Sequence, residues 1–427
     1  MDNVNVFWFR RDLRLHDNTA LNEALNSDFP VLPIFIFDTN IINELDKNDS
    51  RISFIHNELA KINNQLKEFN SSLKIFKGEP IKIWSEILIK FNVKKVFYNR
   101  DYEPYAFKRE KILLPFFRQK NVTAIDFKDH VIFEKNEIVK DDGSPYIVFT
   151  PFKRKWIEKR KTLIIQTKSL ITNNFHKSNF DFPSLFDLGF IKSTINVPSF
   201  KLSFVSKYEE TRNFPSLDKT SKIGPHLRFG TVSIREIVKQ VETLSEVYLS
   251  ELIWREFFMQ IIHHFPHVIT QNFRKKYDTI QWRNNENEFK KWSLGKTGFP
   301  IVDAGMRELN KTGFMHNRVR MITASFLCKH LLIDWRWGEA YFATKLLDYE
   351  LASNNGNWQW CAGTGCDAAP YFRIFNPYEQ TKKFDSKLTY INRWIPELNS
   401  FSYPKPIVDH TFARKRALET YKAGLTA

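Results

Sequence analysis

Four short apolar runs, each set apart from the next by a helix-length amphipathic stretch, constrain the fold of this chain more than any other feature. VNVFWF (4–9), VLPIFIF (31–37), LKIFKG (from 73) and KKVFYN (from 94) are β-like, and stretches such as 51–68 and 105–119 between or after them carry helical spacing. This alternation is the pattern of βαβ units, and it predicts an α/β N-terminal domain with a parallel, doubly wound sheet over 1–130. Neither GxGxxG nor a P-loop occurs at a strand-to-helix junction, so the sheet does not disclose its ligand. Beyond about 205 the β-like alternation disappears. The segments 245–265, 299–310, 314–332 and 337–352 all carry helical spacing, which predicts an all-α second domain over 205–427. Between them, 131–204 reads as an interdomain connector, irregular from about 165 in stretches such as NNFHKSNFDFP and NVPSF.

Length and composition agree with two domains. The chain has 427 residues, 42% hydrophobic and 26% charged, which is globular composition with room for two cores. No apolar run reaches bilayer length, and MDNVNVFWFRRDLRLHDN reads as a first strand and not as a secretion signal, so a soluble, cytoplasmic protein is expected. Three cysteines, Cys328, Cys361 and Cys366, are too few for a disulfide framework or a four-thiolate cluster, and no metal site is expected. A formal net charge of +16 suits a polyanion, with nucleic acid favoured over a membrane surface.

Chemistry-bearing residues cluster in the second domain. PSLDKTSKIGPHLRFGTVS (215–233) is polar and punctuated by Gly and Pro just before a helix, so Thr220, Ser221 and their backbone amides suit a phosphate, although a helix cap accounts for them equally well. ELIWREFF (251–258) sets Glu251 and Trp254 on one helical face with Arg255 adjoining, an arrangement for a flat polar ligand or for a core tryptophan beside a salt bridge. GFMHNRVRM (313–321) puts Asn317 and Met321 on a shared face, with Arg318 and Arg320 expected to point elsewhere. The bland reading is a core methionine with surface arginines. LLDYELASNNGNWQWCAGTGCDAAPYFRIFNP (346–377) packs carboxylates, two asparagines, glycines, Trp358 and Trp360 into a stretch that reads as loop-rich and poor core material.

Together these residues resemble the photolyase and cryptochrome family, closest to its class I cyclobutane pyrimidine dimer photolyases. The segment from 208 to about 397 looks like the family's FAD-binding domain, and FWFRRDLRLHDNTAL resembles the first strand and turn of its antenna domain. ELIWREF, HNRVRM and NNGNWQW in this order and spacing carry the resemblance. It implies an α/β antenna domain, an all-α FAD-binding domain and a buried, U-shaped FAD. By motif, Tyr208, Thr220, Ser221, Lys222, Ile223 and Gly224 would meet the pyrophosphate and ribityl region, with Arg255 nearby. Arg320 and Asp348 look like the family's salt bridge beside the isoalloxazine, with Tyr349 and Glu350 next to it and Asn354 facing flavin N5. Position 350 is Glu where many members have Asp. Trp358, Trp335 and Trp282 match the tryptophan chain that reduces photoexcited FAD.

The resemblance further implies light-driven repair of DNA. Fully reduced, anionic FAD would donate an electron to a dimer flipped out of the duplex, the two bonds between the bases would break, and the electron would return. Glu251 would hydrogen-bond the base and stabilise the dimer radical anion, Trp254 and Trp360 would stack on the lesion, and Asn317, Arg318 and Met321 would complete the pocket. Repair of 6-4 photoproducts uses a histidine pair where this chain has only His316 followed by Asn317. A cryptochrome without repair activity would have lost the pocket residues that are intact here. For a second, antenna chromophore the folate pattern is missing, since Tyr105 and Ala106 stand where an Asn-Glu pair is expected, which leaves a deazaflavin, a second flavin or an empty pocket. The expected partner is DNA carrying UV-induced dimers, bound by a monomer in use at the nucleoid.

Overall fold

The apolar runs of the N-terminal part form strands because both of their faces are covered. In the computed structural model, which describes residues 2–426, β1 (Asn3–Phe9), β2 (Val31–Asp38), β3 (Lys74–Gly78), β4 (Asn92–Asn99) and β5 (Thr123–Phe127) make one sheet in the order β3-β2-β1-β4-β5. Every pairing is parallel, with Asn5 opposite Val31, Val6 opposite Val96, Ile34 opposite Lys74 and Val96 opposite Ala124. Phe7, Phe9, Phe35 and Phe37 enter one core with residues of the Thr19–Leu25 and Ser50–Lys67 helices. Val6, Trp8, Ile34 and Ile36 enter another with residues of the Pro80–Lys90 and Pro104–Gln119 helices. Covering both faces removes the polar half of the usual alternation, so these strands read as unbroken apolar runs. β5 is half-exposed at the sheet edge and adds a strand that this pattern does not disclose.

The chain separates into two units, and neither is a single stretch of sequence. The first comprises 1–137, 158–199 and 223–240, the second 138–157, 200–222 and 241–427. The segment 131–204, read from sequence as a connector, is therefore divided between the units, and it contains a helix, Phe149–Thr162. Within the first unit Phe175, Leu188 and Phe190 are buried in the sheet's core, and Val31 exchanges backbone hydrogen bonds with Asn174 and His176. These apolar residues have no regular period, so their burial leaves no trace in the pattern. The stretch 223–240, expected in the helical domain, also folds in the first unit. There Arg235 pairs with Asp17 at 2.9 Å and Asp129 at 2.8 Å, while Arg14 pairs with Asp129 at 2.7 Å.

The second unit is helical, and among its described residues no strand occurs. Its main helices are Glu246–His264, Pro300–Thr312, Asn317–Ser325, Trp335–Lys345, Leu351–Ala362 and His410–Thr426. A π-helical turn, Phe326–His330, continues the third of these. The helix Leu351–Ala362 replaces the loop read from sequence at 346–377, and only the flanking residues stay irregular. Its glycine is a packing device: a Cβ at Gly356 would lie 2.1 Å from the Phe258 ring, so the helix seats against Glu246–His264 only with glycine there. Gly338 serves Trp358 in the same way, with 2.1 Å to the indole. Among the described residues no helix is long and apolar enough to cross a membrane.

Candidate active site

Residues from three helices and one short turn converge on a cavity in the second unit. His316 starts the first helix by accepting a hydrogen bond from the Arg318 N–H on Nδ1 at 3.2 Å. From there Asn317, Arg320, Met321 and Ala324 recur at helical spacing along one wall. Arg320 thus shares the face of Asn317, which corrects the expectation that it points away; residues three apart are helical neighbours. Asp348, Tyr349 and Glu350 come from the turn before Leu351–Ala362, and Ser353, Asn354, Asn357, Trp358 and Cys361 from that helix. Phe342 and Leu346 close the remaining side.

The polar groups of this cavity are held from behind. Arg320 makes a bidentate pair with Asp348 at 2.9 and 3.1 Å, and its Nε–H donates to the Met315 carbonyl at 2.7 Å. Glu350 is buried and pairs with Arg255 at 3.2 Å, while the Ser353 hydroxyl donates to its second oxygen at 3.2 Å. Asn354 Nδ2 donates to the Glu339 carbonyl at 3.1 Å and carboxylate at 2.9 Å, which leaves Oδ1 to accept from the cavity. Burial raises the Glu339 carboxyl above its ordinary range. Nothing near Glu339 in sequence marks it, because its role depends on a contact fifteen residues away. Cys361 also lines the cavity, with its thiol pushed up to about 12 by burial, so it is a protonated wall group and not a nucleophile.

Other expected residues lie outside this cavity lining. Glu251 pairs with Arg212 at 2.7 Å, and burial raises its carboxyl against that partner. Arg318 donates to Asn213 Oδ1 at 2.6 Å and lies over the Phe384 ring. Trp254 is half-buried and stacked on Phe149, a residue within the expected connector that the sequence reading passed over. Trp360 is half-buried against the helical core. Tyr208 packs edge-on against Tyr248, whose hydroxyl donates to Ser221 at 2.8 Å. Lys222 pairs with Asp218 at 2.8 Å, and Thr220 is half-buried in a bend. Ile223 and Gly224 belong to the first unit, where Gly224 opens the short helix Gly224–Arg228.

The three tryptophans of the expected chain differ in setting. Trp358 is buried at the cavity, edge-on to Phe342 at 5.0 Å and to Trp292 at 6.2 Å. Trp335 is fully buried and donates Nε1–H to Asn272 at 2.8 Å. Trp282 is half-buried, edge-on to Tyr421 at 5.9 Å. Trp292, which the motifs do not single out, is the indole in ring contact with Trp358.

Two family models match, one described as the FAD binding domain of DNA photolyase over residues 248–402 and one as DNA photolyase over 5–169. A deoxyribodipyrimidine photo-lyase of Vibrio cholerae is 36% identical, over 98% of this chain and 99% of its own length. The chain belongs to the DNA photolyase family. Among solved structures, a bacterial class III photolyase from Agrobacterium tumefaciens superposes with a TM-score of 0.89 at 32% identity, covering 100% of this chain and 98% of that one. An archaeal photolyase from Sulfolobus tokodaii, with two FAD molecules, gives 0.86 at 33% identity over 99% and 100% of the two chains.

The photolyase cavity fits the flavin end of FAD. Its walls are flat and apolar at Phe342, Tyr349 and Trp358, and its convergent polar groups are a guanidinium, a carboxylate and an amide oxygen. A planar heteroaromatic ring with imide and carbonyl groups on one edge needs that combination. Of the two residues where the folate pattern is expected, the Tyr105 hydroxyl donates to Asp38 at 2.5 Å and Ala106 is buried.

Proposed function

We propose that this protein is a deoxyribodipyrimidine photo-lyase, a light-dependent repair enzyme that splits cyclobutane pyrimidine dimers in DNA. The observation that carries the reading is the single cavity joining the Arg320–Asp348 pair, Asn354 and Trp358 in a chain alike over its whole length to enzymes of that name. Bound FAD in its reduced form supplies a photoexcited electron. Arg320, Asp348, Tyr349, Glu350 and Asn354 hold its flavin end, with Arg255 acting through Glu350, and Tyr208, Thr220, Ser221 and Lys222 meet its pyrophosphate and ribityl region.

On the lesion side, Glu251, whose carboxyl burial raises against its Arg212 partner, hydrogen-bonds the base carbonyl or imide and stabilises the dimer radical anion. Trp254 and Trp360 stack on the flipped bases, and Asn317 and Met321 bridge the flavin and lesion sides. Arg318 adds a cation for the phosphate backbone, in keeping with a net charge of +16. Trp282, Trp335 and Trp358 provide oxidisable rings from a half-buried position to the cavity wall. The reading carries with it a monomer acting on nucleoid DNA in the cytoplasm, with a second antenna chromophore whose identity an absorption spectrum would give.

Reduced protein incubated with a thymine-dimer oligonucleotide tests the reading, in light and in darkness, beside a 6-4 substrate. Paired thymines restored only in light, and only from the cyclobutane substrate, are the expected outcome. An absence of light-dependent repair overturns it.

A further inference from the structure

Trp254 does not stand alone on its helix. The Phe149 ring lies on its face with centroids 3.7 Å apart and planes 7° apart, which leaves almost no lateral offset. Aromatic rings left to themselves prefer offset or edge-on contacts, so a face-to-face stack this close is imposed by the packing around it. That packing is visible. The Phe149 N–H donates to Asp367 Oδ2 at 3.0 Å, tying it to the loop that follows the Trp360 helix. Phe149, Phe152 and Trp156 recur on one face of their helix, all buried. Phe149 and Phe152 sit against Phe257 at 5.8 and 5.2 Å, and Trp156 donates to Glu256 at 2.6 Å.

We propose that Phe149 is a positioning residue for dimer recognition: it backs the half-buried Trp254, which Phe258 also contacts at 5.3 Å, and fixes the indole plane, so that the part of the indole left uncovered is presented ready to stack on the flipped lesion. The inference rests on the reading of Trp254 as a lesion-stacking residue. An indole free to rotate loses conformational freedom each time it stacks on a ligand, and a rigid backing removes that loss in advance. A removable cover would be lightly held. Phe149 is instead anchored through its main chain and through three buried side chains of one helix, so it stays in place when a base arrives at the exposed part of the indole.

The test measures the dissociation constant for a thymine-dimer oligonucleotide and for its undamaged counterpart. It compares the parent with Phe149→Leu, Phe149→Tyr, Trp254→Ala and the double variant Phe149→Leu/Trp254→Ala, with FAD content and the rate of flavin photoreduction as checks of folding. Phe149→Leu should weaken dimer binding about tenfold, the size of effect expected from losing one good aromatic stack. Undamaged DNA should bind as before, and dimer already bound should be split with the parental quantum yield. Phe149→Tyr, which keeps a flat ring, should restore affinity, and in the Trp254→Ala background Phe149→Leu should cost nothing more. If Phe149→Leu does not retain FAD, Phe149→Met takes its place. Parental or tighter dimer binding by Phe149→Leu, with Trp254→Ala weakened, overturns the inference alone and identifies the ring as a cover or a bystander. Parental binding by Trp254→Ala overturns the lesion-stacking reading and the inference with it.

Discussion

Asn354 donates its side-chain N–H groups to the Glu339 carboxylate at 2.9 Å and main-chain carbonyl at 3.1 Å, and these contacts decide which end of the amide the cavity sees. With Nδ2 occupied, Oδ1 is the atom offered to a ligand, and on the proposed placement of Asn354 at flavin N5 an acceptor there favours the flavin with a proton on N5. Removing the carboxylate leaves only the Glu339 main-chain carbonyl to hold Nδ2, so the amide is fixed less firmly. Glu339→Leu should therefore lower the flavin midpoint potential and speed reoxidation in air, while Glu339→Gln, which still accepts a hydrogen bond, should stay close to the parent. Spectroelectrochemical titration reads both, and equal potentials for Leu and parent would contradict the role of Glu339.

Two buried groups at the start of the Asn317–Ser325 helix give stability opposite slopes with pH. Burial pushes Glu308 up to about 7, with the Tyr390 hydroxyl donating to it at 2.6 Å, and pushes His316 down to about 4. Glu308 in the folded state keeps its proton above pH 4.5, where the unfolded chain has lost it. Its stabilising contribution is therefore full at low pH and disappears as pH rises toward 7, a change of at most about 3 kcal/mol. His316 is neutral in the fold between about pH 4 and 6.5, where the unfolded chain binds a proton, so its effect is lost as pH falls. Glu308→Gln should flatten the decline toward neutrality, and His316→Asn, which keeps a capping acceptor, the decline toward acid. Denaturant titrations across pH 4 to 8 on each variant separate the two.

Trp358 touches the cavity, and Trp292 touches Trp358 at 6.2 Å, so the structure offers a neighbour by which to test the route of photoreduction. Trp358→Phe should slow photoreduction of oxidised FAD by at least about tenfold, an added barrier of about 1.4 kcal/mol or more. Repair by enzyme reduced beforehand should remain largely intact. Trp292→Phe keeps the packing and should leave photoreduction near parental. Transient absorption of the two variants decides between them, and the reverse ranking would move the route to Trp292.

The sequence discloses those parts of the molecule whose cause is local. Strands β1 to β4 are legible because burial on both faces fills them with apolar residues, whereas β5, half-exposed, looks like any mixed segment. The cavity residues are legible as motifs, since Asn317, Arg320, Asp348 and Asn354 fall in short stretches of unusual composition. What escapes is set by contacts between distant segments. Glu339 and Phe149 look ordinary until the fold places them behind Asn354 and against Trp254. The helix Leu351–Ala362 reads as a loop because asparagine, glycine and tryptophan are poor helix formers, and tertiary packing overrides that preference.

Gly338 tests that last point directly. It is a helix-interior glycine, and on propensity alone Gly338→Ala should stabilise the Trp335–Lys345 helix by up to about 1 kcal/mol. The added Cβ would lie 2.1 Å from the Trp358 ring and 2.6 Å from Leu327, both members of the buried helical core. Overpacking of this kind costs about 1 to 3 kcal/mol, so the net effect should be a loss of stability. The displaced indole is also the wall of the cavity, so FAD retention should fall together with the melting temperature. A variant that melts at or above the parental temperature with full FAD content would show that Trp358 moves aside freely, and would weaken the case that its position is fixed for electron transfer.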